Sequence, residues 1–229
     1  MMRTKLLAVA LLALFGTAAG AAVALPSGGQ TAPAAVEAAN TASIKIVAQG
    51  GTCPVEFCFS PANRTVYQVG TVTWTNVSGV EHTVTRCSIP ACPVNGGTGV
   101  NPFFNKTALP GASVSVTFHG AGTYNYYCEI HGYLMHGTIT VKPFAIATSS
   151  LPAGTVGTPY SATLAVHGGK APITWSIASG SLPKGLSLAS TGKISGTPTA
   201  KGTSSFTLRA KDASTTPLVA TRALSISVS

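Results

Sequence analysis

Apolar and polar positions alternate with a period of two in several short runs, the spacing that sends every second side chain to one face of a strand. Val114-x-Val116-x-Phe118 and Ile139-x-Val141 show it most clearly. Further runs of β-branched and aromatic residues stand between turn formers at Ile44 to Val47, Thr65 to Val69, Val72 to Trp74, Thr83 to Thr85 and Thr123 to Tyr127. Together they predict an antiparallel sandwich over residues 44–142, long enough for one core. After Pro143 similar pieces recur at Tyr160-x-Ala162-x-Leu164-x-Val166, Ile173 to Ile177, Lys193 to Ser195, Ser205 to Ala210 and Ala223 to Val228, separated by Pro and Gly. These predict a second sandwich over residues 144–229. The predicted fold class is therefore all-β.

The N-terminus breaks this pattern. Met1-Met2-Arg3-Thr4-Lys5 is a short basic start, Leu6 to Phe15 an unbroken apolar run, and Ala22-Val23-Ala24 a small-x-small cleavage pattern. Residues 1–24 read as a secretory signal peptide, shorter than a membrane span requires. The mature chain is then expected to be exported, to the periplasm, the cell surface or the medium, with no transmembrane span. Residues 25–43, mostly Ala, Gly, Ser, Thr and Pro with Glu37 as the single charge, read as a flexible tether.

Charge is unevenly placed. The chain carries 14 Lys and Arg against 5 Asp and Glu, a formal net charge of +9. Residues 44–142 hold Lys45, Arg64, Arg86, Lys106 and Lys142 against Glu56, Glu81 and Glu129, whereas the seven bases after Pro143 face Asp212 alone. The excess in the second sandwich points to an anionic cell-envelope surface, against the plainer reading that lysines keep its sheet edges unpaired. No nucleic-acid partner is expected.

Five cysteines leave one over after pairing. Cys53, Cys58, Cys87 and Cys92 form two Cys-x4-Cys pairs in Pro-bearing loops, and an exported protein is expected to join them as two disulfides, in any of three connectivities. A four-thiolate metal site competes with that reading, but the compartment is oxidising and the spacing is not that of a zinc knuckle. A bridge at Cys87 would brace the segment carrying His82.

Cys128 is the odd cysteine, and it stands in Tyr126-Tyr127-Cys128-Glu129-Ile130-His131-Gly132-Tyr133-Leu134-Met135-His136-Gly137. A thiol, two imidazoles and a thioether so close together make a soft-to-borderline ligand set. One Cys, two His and a distant Met is the trigonal arrangement of blue-copper electron-transfer sites. The stretch supplies Cys128, His131 and Met135, and Glu81-His82-Thr83-Val84-Thr85 offers the other His.

Residues 44–142 resemble the cupredoxins of the plastocyanin, amicyanin and halocyanin type. The likeness rests on ordered anchors: Val72-Thr73-Trp74-Thr75-Asn76, His82-Thr83-Val84, Phe118, Gly122-Thr123-Tyr124-Asn125-Tyr126-Tyr127-Cys128, His131, and Met135-His136-Gly137-Thr138-Ile139-Thr140-Val141. It implies a Greek-key sandwich with copper as cofactor, His82, Cys128 and His131 as equatorial ligands and Met135 as the axial one. It also implies single-electron shuttling to a redox partner protein, through the edge of His131 and an apolar patch at Gly132, Tyr133 and Leu134.

Two features depart from the pattern. His136 stands where a longer loop would place its ligand, and Cys-x-x-His-x-x-x-x-His also resembles nitrosocyanin, a red-copper relative with a second loop His and a Glu ligand, a role open to Glu81. Met135 is favoured by the Met-x-Gly-Thr-Ile-Thr-Val run, and His136 remains the alternative. Thr83 stands where many relatives carry Asn, so the hydrogen bond that steadies the Cys loop is either replaced or absent. The loops of the two Cys pairs are insertions relative to a minimal cupredoxin.

Gly157-Thr158-Pro159-Tyr160, Pro172-Ile173-Thr174-Trp175, Leu182-Pro183-Lys184-Gly185-Leu186-Ser187-Leu188, Gly192-Lys193-Ile194-Ser195-Gly196-Thr197-Pro198 and Phe206-Thr207-Leu208-Arg209-Ala210-Lys211-Asp212 resemble the immunoglobulin-like module of bacterial surface proteins. That resemblance implies fold rather than function. His119 and His167 read as turn and hairpin residues. An enzyme is not expected, because multicopper oxidases and nitrite reductases need further ligands and further cupredoxin domains. Copper delivery stays as the second functional reading, although it would call for an exchangeable site and further Met or His clusters.

Overall fold

The computed structural model describes residues 40–51, 53–87 and 104–229. The leader, the tether as far as residue 39, and Cys92 lie outside the described residues. The expected all-β fold is what the chain adopts.

The first sandwich is built from β1 (Thr41–Gly50), β2 (Cys53–Ser60), β3 (Asn63–Tyr67), β4 (Gly70–Asn76), β5 (His82–Arg86), β6 (Asn105–Ala108), β7 (Ser113–Phe118), β8 (Gly122–Cys128) and β9 (Gly132–Lys142). One sheet has the order β2-β1-β4-β7 and the other β3-β9-β8-β5-β6. β1 runs parallel to β4 and β3 parallel to β9; the other pairs are antiparallel. Alternation does what the sequence predicts: Val72 and Trp74 of β4 point inward while Thr71, Thr73 and Thr75 pair their outward hydroxyls with those of β7. Ile44, Ile46, Trp74, Phe118, Tyr126 and Ile139 meet between the sheets. Burying side chains of this size contributes about 2 to 3 kcal/mol each.

One glycine shows how tightly the layers fit. Tyr126 faces Gly137 across the β8–β9 ladder, and its hydroxyl donates to the Ala62 carbonyl at 2.7 Å. A Cβ on Gly137 would run into that ring and that carbonyl.

Several boundaries differ from expectation. Residues 53–60 form a strand rather than an inserted loop, because β1 supplies a partner for their backbone that local sequence does not reveal. Asn105–Ala108 is an edge strand on β5, too short and polar to show alternation. β1 starts at Thr41, drawn into the sheet by parallel pairing with β4. β3 ends at Tyr67, because Val69 takes a left-handed φ of 66° in the following turn. Such strain in a β-branched residue is held by its N–H, which donates to Phe118 O at 2.7 Å.

The second sandwich gathers Trp175, Ile194, Phe206, Leu208 and Ile226 into its own core. Its lone acid, Asp212, is buried and accepts from Lys170 N, Leu218 N and the Ser214 hydroxyl at 2.9, 2.7 and 2.6 Å. Burial pushes that carboxyl up, but these hydrogen bonds outweigh it and hold it below its ordinary range.

The two sandwiches touch at the Tyr67–Gly70 turn. His167 stacks on Tyr67 at 4.6 Å, Gly169 N donates to Gln68 O at 2.9 Å, and Phe144 N donates to Gln68 Oε1 at 3.0 Å. The expected hairpin histidine is thus a junction residue. β8 runs from this end to Cys128 and β9 starts beyond it at Gly132, so the junction and Cys128 lie at opposite ends of the first sandwich. No helix among the described residues is long and apolar enough to cross a membrane.

Candidate metal centre

The β5–β8 ladder pairs Thr85 with Tyr127 and Arg86 with Tyr126, and goes no further. One step on, the Thr83 N–H finds the Cys128 sulfur at 3.3 Å in place of a carbonyl. The parting strands leave a cleft for a side-chain cluster. His82 enters it from the start of β5, Cys128 from the end of β8, and His131 from the turn that follows.

All three donors converge. The Cys128 sulfur lies 3.7 Å from His82 Nδ1 and 3.4 Å from His131 Nδ1, and the three ligand atoms fall within 4.8 Å of one another. His82 and Cys128 are fully buried and His131 is half-buried. Cys128 is free. Burial, and then the nearness of His131, push the His82 imidazole down to about 4; burial pushes His131 down as well, opposed by Glu56. Both rings are therefore neutral near pH 7, the state in which an imidazole can bind a metal. A buried thiol faced by two ring nitrogens, with an N–H on its sulfur, fits a soft or borderline ion such as copper.

The outer face of His82 is fixed as well. Its Nε2 lies 2.7 Å from Ser78 Oγ, which in turn lies 2.8 Å from Asn76 Oδ1. With the proton on Nε2, His82 donates to Ser78, Ser78 donates to Asn76, and the Nδ1 lone pair is left facing the sulfur. Asn76 is fully buried and its amide donates to Val80 O and Ala108 O, both at 2.7 Å. The sequence reading missed Asn76 and Ser78 as supports, although the spacing Asn76-x-Ser78-x-x-x-His82 was there to suggest a self-bonded loop. It noted Asn76 only as the end of the Val72-Thr73-Trp74-Thr75-Asn76 anchor; in the fold Asn76 is spent on the interior.

Thr83 answers the question its identity raises. Its hydroxyl accepts the Glu129 N–H at 2.7 Å, so the tie to the residue after Cys128 is replaced rather than absent. A second tie closes a ring: Thr85 Oγ1 donates to Asn105 Oδ1 at 3.0 Å, and Asn105 Nδ2 donates to Glu129 Oε2 at 3.0 Å.

Met135 and His136 are neighbours on β9, so their side chains leave opposite faces. Met135 is buried in the cluster that holds Cys128, and His136 is exposed. The ligand loop is short, since β9 already begins at Gly132. Glu81 is exposed beside His82, and His119 is an exposed turn residue whose carbonyl accepts from Gln68. Of the four paired cysteines expected, Cys53 and Cys58 are joined to each other, and Cys87 is also disulfide-bonded. The sequence reading also missed Phe57, whose ring packs on both imidazoles.

A β-sandwich that gathers a buried thiol and two imidazoles at one end is the architecture of a small copper protein. Residues 44–142 match the family described as copper binding proteins, plastocyanin/azurin family, and residues 140–229 match the one described as Putative Ig domain. A plastocyanin of Scenedesmus fuscus is 35% identical over 103 residues, 44% of this chain and 98% of that protein. The chloroplastic plastocyanin of Tetradesmus obliquus is 33% identical over 107 residues, 45% of this chain and 69% of that protein. The solved structure of a purple cupredoxin from Nitrosopumilus maritimus shares 30% identity over 44% of this chain and 99% of its own, with a TM-score of 0.36. The chain belongs to the plastocyanin/azurin family of copper-binding proteins. Copper is the metal its relatives bind, and electron transfer is the family's typical work.

Thr83→Val keeps the N–H on the sulfur but leaves the Glu129 N–H without its acceptor, and is expected to destabilise the protein by about 1 to 3 kcal/mol in urea unfolding. The metal-free protein should also lose thermal stability as pH falls from about 6.5 towards about 4. In that window an unfolded His82 takes up a proton that the folded site refuses, and the unfolded state gains. A melting temperature flat across the window contradicts this.

Proposed function

We propose that the protein is an exported blue-copper electron carrier in which His82, Cys128, His131 and Met135 would hold the metal. The observation that carries this is the pair of imidazole Nδ1 atoms facing one buried, unpaired thiol. Bound copper would supply the one-electron Cu(II)/Cu(I) couple. The chain's own part is to hold three donors at fixed places, to keep them dry, and to offer a route in for the electron. The burial of Met135 and the exposure of His136 support the thioether rather than the imidazole as the fourth ligand.

His131 is the ligand residue nearest solvent, and Ile130 and Leu134 beside it are exposed. Val77 and Val80, in the loop leading to His82, and Leu109, next to its ladder partner Ala108, are exposed too. Glu56 and Glu129 line a cavity together with Ile130 and Leu134, and Glu81 follows Val80 in the chain. A redox partner docking here would bring its own centre close to the His131 ring. The immunoglobulin-like module, attached at the other end, leaves that face open and serves as a spacer or as a contact to an anionic envelope surface. Export is supported by the leader pattern and by the Cys53–Cys58 disulfide, a bond that suits oxidising compartments.

Visible absorption and electron paramagnetic resonance of the oxidised, copper-loaded protein test the reading. An intense sulfur-to-copper band with narrow copper splitting is expected, altered by Met135→Leu and indifferent to His136→Ala. A weak or red band that depends on His136 would favour the nitrosocyanin-like arrangement, and a colourless protein that releases copper readily would favour delivery.

A further inference from the structure

β2 is not a regular strand. Val47 pairs with Cys58 and Ala48 with Phe57, but Gly50 already pairs with Cys53, so Pro54, Val55 and Glu56 stand opposite Gln49 alone. The extra residues loop out as a bulge, a device that re-aims the side chains beside it. The Cys53–Cys58 disulfide closes the loop at its base, with a Cα–Cα distance of 5.7 Å where five extended residues would span about 17 Å.

What the bulge presents is Phe57. Its ring centroid lies 4.5 Å from that of His131 and 4.9 Å from that of His82, and the two imidazoles are themselves 4.5 Å apart. Outside this trio opens a cavity of about 530 Å³ lined by Val55, Glu56, Phe57, Ile130, His131 and Met135. His82, fully buried, is not in that lining, and Phe57 both lines the cavity and packs on the His82 ring.

We propose that the disulfide-closed bulge is a fixed cover over the metal centre, in which Phe57 holds the two imidazoles in place and keeps small solutes in the cavity from Cys128. Phe57 is thus a positioning residue that acts through the ring pair, and the disulfide acts through Phe57. The inference rests on the copper reading for its effect on the metal, though not for the barrier itself. Without the disulfide the bulge could straighten or splay, and Phe57 would lose its aim while remaining in the sequence.

Two measurements on the full chain separate the inference from the copper reading. In the metal-free protein, the rate at which methyl methanethiosulfonate modifies Cys128 should rise at least about tenfold in Phe57→Ala and in the double variant Cys53→Ser/Cys58→Ser, and stay near the parent's in Phe57→Leu. In the copper-loaded protein, azide should leave the parent's visible band unchanged and shift that of Phe57→Ala and of the double variant, with a change in reduction potential. Serine variants serve better than a reducing agent, which would reduce the copper as well. Modification rates and azide responses equal to the parent's in both Phe57→Ala and the double variant overturn the cover. If Phe57→Ala fails to fold, the double variant decides alone, and parent-like behaviour there overturns it. A parent without a blue band but with fast modification in the variants would sink the copper reading and leave the cover standing.

Discussion

A sulfur that must carry charge to bind metal stands at a fully buried position, and the rest of this end of the molecule answers to that. An ionised group in an apolar interior is costly unless it is paired and hydrogen-bonded. Cys128 has one hydrogen-bond donor in place, the Thr83 N–H freed where the β5–β8 ladder stops, and the two imidazole nitrogens that face the sulfur would share with it the cation that pairs the charge. The ligand cluster is therefore a consequence of how two strands part. Had they paired to their ends, the Thr83 N–H would be committed to the ladder and the cleft closed.

The supports are arranged in three directions around that sulfur. Asn76 and Ser78 fix His82 from behind, Thr83 and Asn105 hold the residue after Cys128 by main chain and side chain, and Phe57 bears on both imidazoles from the cavity side. Each of these contacts is made by the protein alone. A site held so firmly favours a carrier, because a small rearrangement makes electron transfer fast, whereas a delivery protein needs ligands that let go. The second sandwich, fixed through Tyr67, Gln68 and His167 at the opposite end, leaves this arrangement alone.

The candidate cluster was legible because the chemistry is local. Cys128, His131 and Met135 fall within one short stretch, and His82 follows a recognisable strand. The sandwich was legible because Val72, Trp74, Val116 and Phe118 keep a period of two. Phe57 was not, because its role depends on long-range pairing of β2 with β1, and Pro54 and two cysteines hide that strand from any alternation. His167 was not, because its partner Tyr67 lies far back in the chain, in the other sandwich. Thr83 was half legible: its identity raised the question, and only the position of the Glu129 N–H could answer it.

The central claim is that the protein fixes His82, Cys128 and His131 before the metal changes state. Copper-edge X-ray absorption of the loaded protein, recorded fully oxidised and fully reduced, tests it most directly. Two nitrogen neighbours and one short sulfur neighbour in both states, at nearly unchanged distances, is the predicted result. Loss of a nitrogen ligand on reduction, or oxygen ligands in place of the sulfur, would contradict it.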